Sequence, residues 1–306
     1  MKTENAQPAI LAASCAIMAV LEKRMPLQEH VAYALGHSLG EFAALKTSGI
    51  LGFAESVKLV RLRGEAMAKA VEEYGRETAM YALVVEKGRS GVLIDAIEQY
   101  VDDFNNEDDV VAVANHNSVI LPLPQTSLVL ESGVDGQSGQ VVISGTRDGL
   151  LKCISHLRTF SGHDPRPVKL NVSAPFHTSI LQPAVAAVHD ALSTMHISLP
   201  AKIPVISNVT AREFPDDPKQ LKILVEQQTV RRVRWYESVE YLHEHCGVQR
   251  WLGIGPGNVS RNLIGRELGM EKVWGLSSVG ELDGVLEMLA SDILTKDQDP
   301  QEGATY

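Results

Sequence analysis

Cysteine is scarce. Cys15, Cys153 and Cys246 are the only three in 306 residues, and none sits in a Cys-x-x-Cys pair. That argues against a disulfide framework and a structural zinc site. Positive charge is also short, with 28 Lys and Arg against 38 Asp and Glu for a net charge of −10. Nucleic acid is therefore not expected as a partner, because phosphate binding needs clustered positive charge. Long hydrophobic runs are missing too. The apolar stretch from Ala9 to Leu21 is too short to span a bilayer and reads as a core helix, so no membrane is expected. The N-terminus has neither the basic flank and cleavage signature of a signal peptide nor an Arg-rich transit sequence. Internal repeats and low-complexity arrays are absent as well.

What remains is the balance of a soluble globular protein, 44% hydrophobic and 22% charged, long enough for one large core plus a smaller subdomain. Apolar spacing through Ile10, Ile17, Met18 and Leu21 predicts a helix, with Asn5 as its cap and Pro8 in its first turn. A long helix is predicted over about Phe53–Glu73, carrying Arg61–Glu65 and Lys69–Glu73 at i,i+4 spacing. Between Met80 and Val172 the pattern becomes strand (81–85), helix (92–101), strand (110–114), strand (141–144), helix (150–160), strand (168–172). That β-α-β-β-α-β order is the ferredoxin-like unit. A polar, glycine-rich excursion at 119–139 separates its inner strands; it reads as either a functional flap or a disordered insertion, with disorder expected. Alternation then resumes with helix 181–195, strand 203–207, helices 219–230 and 235–245, and strands 249–254 and 273–276. A last helix at 282–294 leads into a polar, flexible tail, 296–306. The expectation is a parallel α/β core built from 1–77 and 172–295, with a ferredoxin-like subdomain at 78–171.

The segment Ala34-Leu-Gly-His-Ser-Leu-Gly-Glu41 carries the most chemical information. It reads as a β run (31–35), a tight turn holding Ser38 between Gly36 and Gly40, then a helix from Leu39. Glycines two residues either side of the serine remove side chains that would clash in a sharp strand-to-helix turn. Such a turn presents the hydroxyl above the sheet and aims the Leu39 N–H and a helix N-terminus at a developing oxyanion. A serine hydroxyl needs a base. Of ten histidines, His177 stands out, because Asn171-Val-Ser-Ala-Pro-Phe-His177 ends a strand and opens a helix, where α/β sheets gather ligand sites. His243 and His245, two apart on a helix, do not share a face, so no metal site is expected there.

Arg63 is the second informative residue. Its helical neighbours Leu59, Val60, Ala66 and Met67 are all apolar, and no carboxylate lies at helical spacing. A guanidinium so placed forms a tertiary ion pair, snorkels to solvent, or clamps a substrate carboxylate.

Together, Gly36-His-Ser-Leu-Gly-Glu41, Leu62-Arg-Gly64, Gln140-Val-Val-Ile-Ser-Gly145, Ser173-Ala-Pro-Phe-His177, Ile206-Ser-Asn-Val209, Arg234-Trp235 and Gly255-Pro-Gly-Asn-Val259 resemble the motifs of malonyl-CoA:acyl carrier protein transacylases. The same family holds the acyltransferase domains of fatty acid and polyketide synthases. The matches run in family order from residue 7 to about residue 285. The resemblance implies an α/β-hydrolase-like parallel sheet core with a ferredoxin-like insert. It implies that Ser38 takes an acyl group from coenzyme A, that His177 is its general base, and that the base is oriented by a main-chain carbonyl, here at Gln228. By the same resemblance Arg63 grips the free carboxylate of malonate, Leu39 gives an oxyanion N–H, His37 shapes the site, and Asn117 belongs to the substrate-binding set. Phe176 before the histidine resembles the malonyl-preferring pattern. The implied partners are a coenzyme A thioester and a phosphopantetheinylated acyl carrier protein, with no cofactor and a monomeric enzyme. Arg231, Arg232 and Arg234 are the densest basic cluster and a candidate docking patch for an acidic carrier.

Two departures from the family pattern stand out. No Gly-Gln-Gly occurs anywhere in the chain, whereas the family opens with a strand ending in that turn, and the expectation is a shortened chain. The 119–139 insertion resembles stand-alone eukaryotic enzymes, which implies a mitochondrial location. Two other functions share the elbow. A serine esterase would pair the histidine with an acid and would not need Arg63, and an impaired chain would only bind a partner.

Overall fold

The computed structural model describes residues 2–86, 88–104, 108–118 and 138–296. The expected loop at 119–139 falls outside them as far as residue 137, and the tail from 297 onward falls outside them as well.

Helix α1 (Thr3–Glu22) is longer than its apolar stretch suggested, and by length and composition alone it could cross a membrane. It is a core helix instead: Leu11, Cys15 and Met18 bury one stripe of it in the central cluster. Its N-cap is Lys2 rather than Asn5, and Pro8 lies inside the helix. Proline has no N–H to give, so the Glu4 carbonyl one turn back loses its helical donor. Arg61 Nη1 supplies the missing bond at 3.0 Å and also reaches Asn5 Oδ1 at 2.7 Å.

Helix α2 (Leu27–His30) ends just before the region expected as a strand, with Val31 as its C-cap, and β1 (Ala34–Leu35) is only two residues long. After the turn come α3 (Gly40–Thr47) and α4 (Phe53–Tyr74). Here α1 and α4 cross closely because Gly64 has no side chain. A Cβ there would come within 2.7 Å of Glu4 Cα. That approach brings Gln7 of α1 to Arg63 of α4.

The next region is β2 (Thr78–Glu86), α5 (Ser90–Phe104), β3 (Val111–Ser118), β4 (Ser138–Thr146), α6 (Arg147–Thr159) and β5 (Arg166–Lys169). The four strands form one antiparallel sheet in the order β3-β4-β2-β5. The inner pair β2–β4 is in continuous register from Thr78 opposite Thr146 to Glu86 opposite Ser138. Leu83, Ile97, Ile143, Leu150 and Leu157 fill the space under α5 and α6. β5 ends at Lys169, so Val172, expected in the strand, is left exposed.

Then follow α7 (Gln182–Thr194), β6 (Val205–Ile206) and α8 (Pro218–Gln227), which Asp217 caps through Lys219 N–H with proline at the first helical position. The helix expected over 235–245 is α9 (Trp235–Glu240) running into a π-helical turn, Tyr241–His245. β7 (Trp251–Ile254), α10 (Val259–Leu268), β8 (Val273–Leu276) and α11 (Leu282–Lys296) complete the chain.

The core strands are parallel, as expected, but they form two separate ribbons, β1–β6 and β7–β8. Among the described residues no backbone hydrogen bond joins the two. Side chains do: Leu35, Ile206, Trp251 and Val273 share one apolar cluster, and Ala34, Leu252, Ile254 and Leu276 share another.

The antiparallel sheet is tied to the core at one seam. Register shifts in β3 between Val113 and Asn115 and between His116 and Ser118 turn the strand end toward the stretch before α9. There Val233 N–H donates to the Ala114 carbonyl and His116 N–H donates to the Val233 carbonyl. Phe176 closes the same junction, packing on both the Met67–Leu181 cluster and the Met80–Val142 cluster.

Candidate active site

Ser38 sits on the turn between β1 and α3 with φ at 51°, a left-handed conformation unusual for a side chain with a Cβ. Gly36 is what permits the turn, since a Cβ there would overlap the Gly40 carbonyl group. The second glycine differs from expectation, because a Cβ on Gly40 would meet open space. The close approach is one-sided, Gly36 against the Gly40 backbone. The Leu39 N–H, at the mouth of α3, has no hydrogen-bond partner among the described residues.

His177, expected as the base, has its Nε2 2.8 Å from Ser38 Oγ. His177 also has positive φ, 61°, and is buried. Its Nδ1 lies 3.1 Å from the Gln228 carbonyl and 2.9 Å from the Arg231 carbonyl. Carbonyl oxygens only accept, so Nδ1 carries the proton and Nε2 is left bare to accept from the serine hydroxyl. No carboxylate contacts the ring among the described residues. Burial, then the positive charges of Arg63 and His37, push the His177 pKa down to about 3. The imidazole is therefore neutral across the physiological range, the form a base requires.

Arg63 is 2% exposed and has found neutral partners rather than an anion. Nη1 donates to Gln7 Oε1 at 2.7 Å and Nη2 to Gln228 Oε1 at 3.0 Å, while Nε is buried without a partner. The Phe42 ring lies beneath the guanidinium at 5.4 Å. Its attraction to Glu41 is felt, yet no ion pair forms among the described residues. Burial lowers its pKa only to about 10, so it stays charged at neutral pH. A buried cation held by two amides is well oriented and electrostatically unsatisfied. Gln228 joins it to Ser38, since the same amide donates through Nε2 to the Ser38 carbonyl at 2.6 Å.

His37 Nε2 is 2.9 Å from Asn117 Oδ1, and its ring lies 5.2 Å from that of Trp235. Asn117 donates in turn to Gln140 Oε1 at 2.9 Å. The Asn117 amide is thus engaged on both sides, supporting His37 from the antiparallel sheet. Burial lowers the pKa of His37. The basic cluster is dispersed by the fold. Arg231 is exposed, Arg232 pairs with Glu98 of α5 at 2.9 Å, and Arg234 turns into a cavity of about 380 Å³ that it lines with Arg212, Glu237 and Tyr241.

The sequence pattern gave three contributors no role in this site. Gln7 looks like an ordinary polar residue early in a helix. Asn208 follows a two-residue strand. Arg231 acts through its carbonyl, which any residue supplies.

Comparison with known proteins places the chain. The chain is 35% identical over 262 residues to the malonyl CoA-acyl carrier protein transacylase of Bacillus subtilis (strain 168), covering 86% of this chain and 72% of that protein. It belongs to the malonyl CoA-acyl carrier protein transacylase family. Residues 1–120 match the acyl transferase domain. The crystal structure of FabD from Acinetobacter baumannii superposes with a TM-score of 0.77 at 30% identity, over 95% of this chain and 82% of that one. A malonyl-transacylase solved in complex with its type II PKS acyl-carrier protein superposes with a TM-score of 0.74 at 27% identity, over 94% of this chain and 82% of that one. The α/β architecture read from the sequence is that of these transacylases.

Proposed function

We propose that the protein transfers a malonyl group from malonyl-CoA to the phosphopantetheine thiol of an acyl carrier protein, by way of an ester on Ser38. The observation that carries this reading is the buried, anion-free Arg63 linked through one glutamine to a serine already bonded to its base. Membership of the transacylase family and the carrier-bound relative support the two substrates.

Ser38 Oγ attacks the thioester carbonyl while its proton passes to His177 Nε2. The developing oxyanion faces the Leu39 N–H at the start of α3, where the helix dipole favours negative charge. The carbon–sulfur bond then breaks, and the coenzyme A sulfur leaves with the proton from His177. In the second half the carrier thiol gives its proton to His177 and attacks the ester, and Ser38 recovers its proton. The malonate carboxylate lies on Arg63 throughout, its charge offsetting the guanidinium that helps depress His177. Substrate binding thereby raises the basicity of His177 when it is needed. The steps call on no metal or redox group, so none is assigned.

An esterase is disfavoured by two features. The base is held by carbonyls rather than a carboxylate, and an ester substrate without a free acid would leave Arg63 unpaired. The test is intact-mass spectrometry after brief mixing with malonyl-CoA. A malonyl adduct is expected on the wild type and none on Ser38→Ala. Arg63→Ala is expected to lose preference for malonyl- over acetyl-CoA. Acetyl and malonyl adducts forming equally fast on the wild type would sink the assignment.

A further inference from the structure

Asn208 and Glu41 belong to no step described above, yet both are buried against the nucleophile, at 1% and 0% exposure. Ser38 N–H donates to Asn208 Oδ1 at 2.7 Å, and Asn208 Nδ2 donates to the Gly36 carbonyl at 2.8 Å. One amide thus bridges the turn from the residue two before the serine to the serine itself. Neither bond is available from a β-ladder or a helix, because Gly36 and Ser38 belong to neither. The Asn208 main chain is fixed in turn by its own N–H, which donates to Glu41 Oε2 at 2.5 Å. Glu41 is the second residue of α3, so the helix that follows the serine holds the residue that holds the serine. The other oxygen of Glu41 is buried without a partner, and burial pushes its pKa up to about 8. A side chain kept in so costly an environment has work that a smaller apolar residue there would not do.

We propose that Asn208 and Glu41 form a buried positioning unit for the nucleophile: Glu41 fixes the Asn208 main chain, and the Asn208 amide holds the Ser38 turn in its left-handed conformation. The unit acts through Ser38 and touches no substrate atom. It rests on the proposed malonyl transfer only for the choice of acyl donor. Without Asn208 the Ser38 N–H and the Gly36 carbonyl lose their partners, the turn relaxes toward ordinary backbone angles, and Oγ drifts off the line to His177 Nε2. A misplacement of about 1 Å in a reacting group costs about 100-fold in rate.

The experiment compares wild type, Asn208→Ala, Glu41→Leu and Glu41→Gln. Each is followed by single-turnover acylation with malonyl-CoA and by labelling with a fluorophosphonate, which phosphonylates a reactive serine with loss of fluoride and carries no carboxylate for Arg63. Asn208→Ala and Glu41→Leu are expected to lose about 100-fold in both rates, with KM for malonyl-CoA unchanged within about two-fold. Glu41→Gln keeps an acceptor for the Asn208 N–H and is expected to recover most of the rate. If Asn208→Ala is insoluble, Asn208→Ser takes its place, its hydroxyl too short to span the turn. A folded Asn208→Ala or Asn208→Ser that labels at the wild-type rate overturns the inference, whatever its melting temperature. A wild type that labels with the fluorophosphonate but takes no malonyl group overturns the functional reading and leaves this one standing.

Discussion

The two parallel ribbons of the core and the antiparallel sheet solve the same problem, holding chain in place, by opposite means. In β2–β4 nine consecutive residues face nine partners, and the ladder alone dictates position. In the core, β1 and β6 are two residues each, and Ser38 lies just beyond β1 at positive φ, as does His177 on the loop before α7. There, side-chain amides do what the ladder does elsewhere: Gln7 and Gln228 hold Arg63, Gln228 and Asn208 hold Ser38, and Asn117 holds His37. A ladder bond is indifferent to residue type. An amide tether is not, so the core spends sequence identity where the sheet spends length.

That contrast can be broken from either side. The largest effect is expected in the sheet. Leu83→Ala, removing a fully buried side chain of β2, should lower unfolding free energy by about 2–5 kcal/mol. The kcat of the protein that remains folded should stay near wild type, as chemical denaturation paired with active-site titration would show. Gln7→Leu should do the reverse. It removes a hydrogen bond to a charged group, of the class worth about 1.5–3 kcal/mol, but here the loss falls on substrate. Arg63 loses one of the two amides that aim it, so KM for malonyl-CoA should rise by about tenfold, on the order of 1.4 kcal/mol, while the melting temperature barely moves. Equal shifts in KM and melting temperature would erase the distinction.

A third effect is expected in pH dependence. The pKa of His177 falls from 6.5 to about 3 on folding. The unfolded chain therefore binds more protons in that window, and stability is lost as pH drops from about 6.5 toward 3. His177→Gln should flatten that part of the stability–pH curve in denaturant titrations. An unchanged slope would show that the imidazole is not held neutral by the fold.

The contrast also sets what could be read in advance. The strand–helix–strand–strand–helix–strand order from β2 to β5 was legible because amphipathic helices and alternating strands leave a periodic trace, although β3 and β4 run past their apolar centres through polar residues such as Asn115–Asn117. The elbow and Arg63 were legible because their chemistry contradicts their setting, a strained serine turn and a charge on an apolar face. The roles of Gln7, Asn208 and the Arg231 carbonyl were not, since they exist only once distant segments meet. The strand expected at 31–35 shrank for a similar reason. Tertiary pairing with β6 begins only at Ala34, and the chain before it closes a helical turn.

Residues 228–235 show what such economy implies. The carbonyls of Gln228 and Arg231 choose the tautomer of His177, and two residues later Val233 hydrogen-bonds to the end of β3. A single short strap therefore carries both a main-chain joint between the two regions and the setting of the His177 ring. Docking of the sheet and orientation of the His177 ring are tied to the same few residues, so a chain whose sheet is undocked is expected to be one whose histidine has lost its bearing.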